Sequence, residues 1–411
     1  MNADKNKVLL LYPGSGGEAY DLIPLSLLYI AQPLLDAGME VEIIDQRMEK
    51  DFYDRVRQRL TPDLICVGIS CMTGPQISPV INICERVRKA ADVPIVLGGP
   101  HPSLFPEQTL ACPLIDYVVL GRGEEPFLNL VRALKEGGPV EGINHIGFRS
   151  SGRTRVNRGT VSRPGHHAIP YHLLSRYPAS TTIPIISSWG CPFHCTFCVE
   201  KVLHPDFYQL PAGDVLKMIE EALLLQPRFI SFFDDNFLLD IRRIVTIFSL
   251  CREKGLAFQW ICTGRVDMAL KLDDQTLRFL KDSGLVAIFC GIESGSPEML
   301  KLINKGITPE MAIRLNLKLK EADIIPQYSF MAGFPGETKA DFQQTLDLIQ
   351  RLKTDNPRAV IWKLNQYTPY PGTAMYELAV QRGYRTPRKL EEWSEAYFYS
   401  REFVAPYDVR L

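Results

Sequence analysis

The chain has 411 residues, 46% of them hydrophobic and 23% charged, and a formal net charge of -1. This is the composition of a globular protein of about two to three domains, and it gives no global electrostatic reason to expect nucleic acid or an anionic membrane as partner. No apolar run is long enough to span a membrane, Met1 to Lys7 is too polar for a signal peptide, and ten cysteines without a small scaffold argue against a disulfide framework; a cytoplasmic location is expected.

From Lys7 to about Gly138, short apolar runs alternate with helical patterns. Val8 to Tyr12, Val41 to Asp45, Leu64 to Ser70, Pro94 to Leu97 and Tyr117 to Leu120 read as strands, with amphipathic segments at Leu25 to Asp36, Gln76 to Ala91 and Pro126 to Glu136. The alternation predicts a doubly wound, Rossmann-like parallel sheet, which binds ligands beyond the C-terminal ends of its strands. Those ends carry small and turn residues: Pro13 to Gly17, Ser70-Cys71-Met72-Thr73, Gly98-Gly99-Pro100-His101 and Gly121-Arg122-Gly123-Glu124. Four such edges together suggest a surface for a large, flat ligand. The first loop lacks the third glycine of the dinucleotide fingerprint, so nicotinamide is weakly supported.

Gly138 to about Thr181 has no sustained period and reads as a connector, with a short hairpin around Ile146 to Val156 and a histidine pair, His166-His167, that reads as solvated. From Thr182 the alternation resumes. Ile183 to Ser187, Phe229 to Phe233, Phe258 to Cys262, Ala287 to Cys290, Gln327 to Met331 and Val360 to Leu364 are expected strands, separated by helices, and suggest a partial barrel. Its expected C-terminal edges bear Asp234-Asp235-Asn236, Thr263-Gly264-Arg265, Gly291 to Ser294, Gly333 to Glu337 and Tyr367 to Gly372.

The loop after the first of these strands holds Cys191, Cys195 and Cys198, spaced C-x3-C-x2-C. Three thiolates can hold three irons of a 4Fe-4S cluster and leave the fourth iron open. Zinc is the competing reading, but its fourth ligand would have to be His194, next to Cys195 in the same short loop, where tetrahedral closure is awkward. Cys66, Cys84, Cys251, Cys262 and Cys290 lie in apolar segments and are expected in cores.

On these residues the chain resembles the cobalamin-dependent radical S-adenosylmethionine enzymes over about Lys7 to Gly383. The cysteine triplet with Phe197 before its last member is similar to the radical-enzyme motif. Gly291 to Ser294, Gly333 to Thr338 and Pro369 to Thr373 are similar to the family's later strand segments. The resemblance implies a cobalamin-binding domain over 1–138, a linker over 139–181, a partial (β/α)6 radical SAM barrel over 182–375 and a short extension over 376–411. It implies a 4Fe-4S cluster on Cys191, Cys195 and Cys198, with Phe197, Asp235, Arg265, Glu293, Ser294 and Gln327 as candidates to contact S-adenosylmethionine. Cobalamin is implied at Ser70, Cys71, Met72, Thr73, Gly98, Gly99, His101, Gly121, Gly123 and Glu124. The D-x-H-x-x-G motif that supplies a cobalt-bound histidine elsewhere is absent, so no protein histidine on cobalt is implied; Cys71, Met72 or Thr73 would be nearest the lower face.

The implied reaction is transfer of a methyl group to an unactivated carbon after a deoxyadenosyl radical removes its hydrogen, fed by an external electron donor. A short tail with Trp393, Tyr397 and Tyr399 suggests an open barrel mouth and a peptide or protein substrate, as in the methylases that modify methyl-coenzyme M reductase at glutamine. A cyclase or ring-rearranging enzyme of the same architecture, and a cobalamin-binding sensor, are the alternatives.

Overall fold

Strands buried on both faces need continuous apolar runs, and the chain uses its runs that way. The computed structural model describes residues 5–14, 23–160, 168–174, 177 and 182–396, in two compact units. Ser15 to Gly17, His166-His167, Tyr397 and Tyr399 lie outside the described residues.

Unit 1 comprises Met1–Ala179 and the returning segment Pro387–Ala396. Its strands are β1 (Lys7–Tyr12), β2 (Glu40–Asp45), β3 (Leu64–Ser70), β4 (Ile95–Gly98), β5 (Tyr117–Val119), β6 (Ile146–Ser150) and β7 (Arg153–Asn157). They form one sheet in the order β2-β1-β3-β4-β5-β6-β7, parallel from β2 to β5 and antiparallel beyond. All seven residues of β3, the central strand of the parallel part, are buried. The chain leaves β1 toward β2 and then crosses back to β3, so right-handed crossovers put helices on both faces and open a crevice at the C-terminal rim between β1 and β3.

The hairpin expected within the connector instead extends this sheet: β6 pairs with β5, Tyr117 opposite Phe148, and buries Ile146 and Phe148. The three-residue β5 would otherwise be a bare edge. Trp393 also belongs to unit 1. It is fully buried, its ring centroid is 4.1 Å from that of Phe105, and its indole N–H donates to Gln108 Oε1.

In unit 2, the stretch Ser180–Thr386 carries β8 (Ile183–Ile185), β9 (Ser188–Trp189), β10 (Tyr208–Gln209), β11 (Ile230–Phe232), β12 (Trp260–Gly264), β13 (Leu285–Glu293), β14 (Ile325–Ala332) and β15 (Val360–Gln366). Strands β9 and β10 make a small antiparallel ribbon. The other six form a parallel sheet in sequential order, β8-β11-β12-β13-β14-β15. With no reversal of order, every right-handed crossover places its helix on the same face, and the sheet is a partial (β/α)6 barrel. The strand expected at Phe258 to Cys262 forms two residues later, because Trp260 is its first fully buried position and stacks on Phe248 at 4.0 Å.

Several helices of unit 2 start on capping side chains. Asp240, Asp273 and Thr308 accept from Arg243, Thr276 and Met311 backbone N–H groups, and Thr338 with Asp341 makes a capping box. Each cap contributes about 1 kcal/mol and fixes where the preceding loop must end.

Candidate active site

The cysteine loop follows the short strand β9, just beyond barrel strand β8, and is held at both ends. On its strand side, Asp234, 2% exposed at the end of β11, accepts from the Ser187 backbone N–H at 2.6 Å and from the Ser187 and Ser188 hydroxyls at 2.7 and 2.6 Å. Burial pushes the Asp235 carboxyl up to about 6, against the Gly190 N–H that it accepts. The two adjacent aspartates thus anchor Ser187, Ser188 and Gly190 on the approach to Cys191.

On its far side, the Thr196 N–H donates to Ile303 O at 3.0 Å, Asn304 Nδ2 donates to His194 O at 2.8 Å, and the Met375 N–H donates to Thr196 O at 2.9 Å. Cys191, Cys195 and Cys198 are all half-buried free thiols on this loop, while the other seven cysteines are buried. Burial raises the Cys191 thiol and pushes Cys198 up to about 12, so cluster assembly on this loop has to displace protons. The His194 side chain is exposed. Among the described residues no three His, Cys, Asp or Glu side chains gather around one point as a single zinc ion requires. Ligands spread over three irons have no such requirement.

Arg265, at the end of β12 and 7% exposed, reaches the loop: its Nη1 lies 3.4 Å from Cys195 Sγ and its guanidinium carbon 3.8 Å from the Phe193 ring centroid. Its Nε donates to Asp267 Oδ1 at 2.9 Å, and its Nη2 donates to Lys305 O. A donor fixed beside a thiolate sulfur is the kind of outer contact that orients and tunes a metal ligand.

Glu293 ends β13 at a bulge, where the pairing with β14 slips between Gly291 and Glu293, and its φ is +75°. Such bulges re-aim a side chain at a sheet rim. The buried Glu293 carboxylate accepts from Lys305 Nζ at 2.8 Å. Gly291 makes room for this pair, since a Cβ there would overlap Glu293 Oε1 and stand 3.1 Å from Lys305 Nζ.

The remaining candidates are placed differently. Phe197 meets Phe334 edge-on at 5.7 Å, forming an aromatic wall behind the cysteines. Ser294 is fully buried, shares a hydrogen bond with Thr345 Oγ1 at 3.1 Å and accepts from the Ser296 N–H, so its hydroxyl shapes the turn. Gln327 accepts from the exposed Trp362 indole at 3.0 Å. Lys305 and Asp267 carry no motif in the sequence; only contact with Glu293 and Arg265 reveals them.

The rim of unit 1 is equally ordered. The Cys71 N–H donates to Gly98 O at 2.8 Å and the His101 N–H donates to Cys71 O at 3.1 Å, zipping the loops after β3 and β4 together. Gly99 has a φ of +105°, and a Cβ there would come 3.0 Å from Cys71 O; at Gly98 a Cβ would meet open space. Ser103, which carries no motif, donates to Gly99 O at 2.7 Å and accepts from the exposed Gly121 at 2.8 Å, tying the β4 loop to the β5 loop. Gly123 is partly buried, and Glu124 pairs with Arg122 at 2.5 Å. The open space over Gly98 and the exposed Gly121 leave backbone accessible to a ligand at this rim.

Not every residue expected on this rim faces outward. Ser70 is 7% exposed, and Cys71 and His101 are fully buried. The Thr73 hydroxyl meets His101 Nδ1 at 3.1 Å, and the His101 ring lies 5.0 Å from Phe105 and 6.0 Å from Trp393. Burial in that apolar shell pushes the imidazole down to about 3.

Two family models match the chain: the radical SAM superfamily over residues 185–349 and the B12 binding domain over 18–131. The uncharacterized methyltransferase PH0819 of Pyrococcus horikoshii is 30% identical over 400 residues, covering 91% of this chain and 83% of its own. The anaerobic magnesium-protoporphyrin IX monomethyl ester cyclase of Rubrivivax gelatinosus is 26% identical over 401 residues, covering 90% and 69%. Among solved structures, the radical S-adenosylmethionine methyltransferase TsrM of Kitasatospora setae, with cobalamin and a 4Fe-4S cluster bound, superposes with a TM-score of 0.74 at 21% identity, covering 93% of this chain and 76% of that one. No helix among the described residues is long and apolar enough to cross a membrane.

Proposed function

The chain belongs to the cobalamin-dependent radical S-adenosylmethionine enzymes, and on that premise we propose that it is a C-methyltransferase acting on an unactivated carbon. The observation that carries this reading is the cysteine loop at the C-terminal rim of a partial barrel, in a chain whose other unit has a β2-β1-β3-β4-β5 sheet with an open, small-residue rim.

Cys191, Cys195 and Cys198 would hold three irons of a 4Fe-4S cluster, leaving one position for S-adenosylmethionine. The rim formed by Met72, Gly98, Gly99 and Gly121 would seat cobalamin. When bound, these groups supply a radical that removes hydrogen from carbon and a methyl group for the carbon that lost it; the protein's part is to position and to exclude water. Arg265 holds a donor against Cys195, and the Asp234 and Asp235 contacts hold the loop's lead-in rigid. The buried Lys305–Glu293 pair fixes the end of β13 at the same rim, with Glu293 the carboxylate that would face the amino acid moiety of S-adenosylmethionine. Phe197 and Phe334 close the apolar side.

The substrate is a separate matter. Trp393, part of the tail from which a peptide substrate was expected, packs in unit 1, so the tail gives that expectation no support. The relatives named above do not bear on methyl-coenzyme M reductase. The cyclase relative favours a second reading, ring formation without methyl transfer, and adds tetrapyrroles to the peptides as candidate substrates.

The test is anaerobic turnover of the reconstituted protein with cobalamin, reductant and these candidates, measuring 5'-deoxyadenosine and S-adenosylhomocysteine together. Both products, lost together in a Cys191→Ala/Cys195→Ala/Cys198→Ala variant, support methylation. Deoxyadenosine alone supports ring formation, and turnover that survives the triple substitution refutes both.

A further inference from the structure

The parallel sheet of unit 2 has two unlike faces. Side chains that alternate toward its helices, such as Phe232, Cys262 and Tyr328, are buried, and the Tyr328 hydroxyl lies 3.5 Å from Asn316 Oδ1 of the helix Pro309–Glu321. Side chains one residue further on point to the other face, the inside of the barrel. Strand pairing sets Thr263 beside Phe289, Phe289 beside Gln327 and Gln327 beside Val360. Phe233, one residue beyond the Phe232–Cys262 pair, extends the same row, and none of the five is charged. This row is open: Phe233 is 53% exposed and Val360 38%, and Trp362, two residues past Val360, is 51% exposed.

Trp362 is held in place. Its indole N–H donates to Gln327 Oε1 at 3.0 Å, which ties the ring to the row and leaves the Gln327 amide N–H groups as what that residue offers a ligand. A half-exposed indole in a fixed pose is a flat apolar wall with a face free for stacking. Phe233 stands toward the other end of the row and is followed at once by Asp234 and Asp235, whose contacts hold the lead-in to Cys191. The open face therefore runs up to the cysteine loop, and its occupant is the molecule on which chemistry at that loop acts. A charge laid on this face would lose its hydration with no counter-charge in the row to replace it. An aliphatic chain would leave the indole without a flat partner.

Resting on the reading that radical chemistry starts at the cysteine loop, we infer that the substrate is a planar ring system laid on the inner face of the barrel between Trp362 and Phe233, with any charged substituents left at the rim. Trp362 is then a specificity-determining residue, selecting a flat ring over a charged peptide.

The test is binding of protoporphyrin IX, a planar ring whose charges sit on one edge, to the full chain, followed by the shift of its Soret band. Trp362→Ala is expected to weaken binding about tenfold, and Trp362→Phe to stay near wild type. Leu224→Ser, which alters an exposed apolar side chain just after the helix Ala212–Leu223, is expected to change nothing. A charged glutamine-containing peptide is expected not to compete. Protoporphyrin that does not bind, that binds Trp362→Ala as tightly as wild type, or that the peptide displaces, overturns the inference. The titration needs no turnover, so the two failures are distinct: absence of both 5'-deoxyadenosine and S-adenosylhomocysteine from the reconstituted protein overturns the functional reading, whatever the ring affinity.

Discussion

Lys305→Met is the sharpest probe of the barrel rim. Lys305 and Glu293 side chains are each 8% exposed and lie 2.8 Å apart, with Gly291 leaving just enough space beside them. Removing the ammonium strands a buried carboxylate, a change that costs about 3–5 kcal/mol when one partner of a buried pair is lost. At ~2–4 °C per kcal/mol for a domain of this size, the unit 2 unfolding midpoint should fall by roughly 10 °C. Glu293→Gln strands the ammonium instead and should lose a similar amount. The double variant leaves no buried charge and should recover at least half of the summed loss, a coupling of about 3 kcal/mol or more. The assay is denaturation of wild type, both singles and the double at neutral pH and fixed ionic strength, at low and high salt. Little salt dependence is expected, because the pair is shielded from solvent. Additive losses would refute the reasoning, since they would mean that the two charges do not stabilise each other.

Glu337 tests linkage. Its side chain is 1% exposed, and burial pushes it from 4.5 up to about 7 despite the N–H groups of Gly333 and Phe334 that it accepts. A carboxyl raised on folding contributes stability that is present below its unfolded pKa of 4.5 and is lost as pH rises toward about 7. Glu337→Gln should remove that decline, worth on the order of 3 kcal/mol across the window, and urea titrations from pH 4 to pH 8 showing the same slope in both proteins would refute it. Trp393→Ala empties a fully buried site and should destabilise unit 1 by about 3–5 kcal/mol while leaving the unit 2 transition in place; limited proteolysis resolves the two. Gly99→Ala forces a Cβ against Cys71 O from a backbone with φ of +105°, so it should cost unit 1 about 1–3 kcal/mol and weaken cobalamin retention without altering the iron content of the barrel. Unchanged cobalamin retention would remove Gly99 from the rim.

What the sequence determined by itself is what is local along the chain. Strands such as Leu64–Ser70 are visible because burial on both faces demands a continuous apolar run. The cysteine loop is visible because all three thiolates fall within one short segment, and the small-residue edges are visible because each is a contiguous turn. Tertiary structure decided everything that pairs distant residues or depends on which way a side chain points. Glu293 acquires its ammonium from Lys305 across a helix, and the cysteine loop is pinned by Asp234 and Asn304 from loops elsewhere in the barrel. The hairpin after Gly142 becomes sheet because β5 offers an edge, and Trp393 enters the core of a unit whose remainder lies more than 200 residues upstream. Orientation was the harder part. Cys71 and Met72 are neighbours of similar chemistry, yet one is fully buried and the other half-exposed, because the Cys71 backbone is still zipped to the loop after β4 while Gln76 holds Met72 in the turn beyond it.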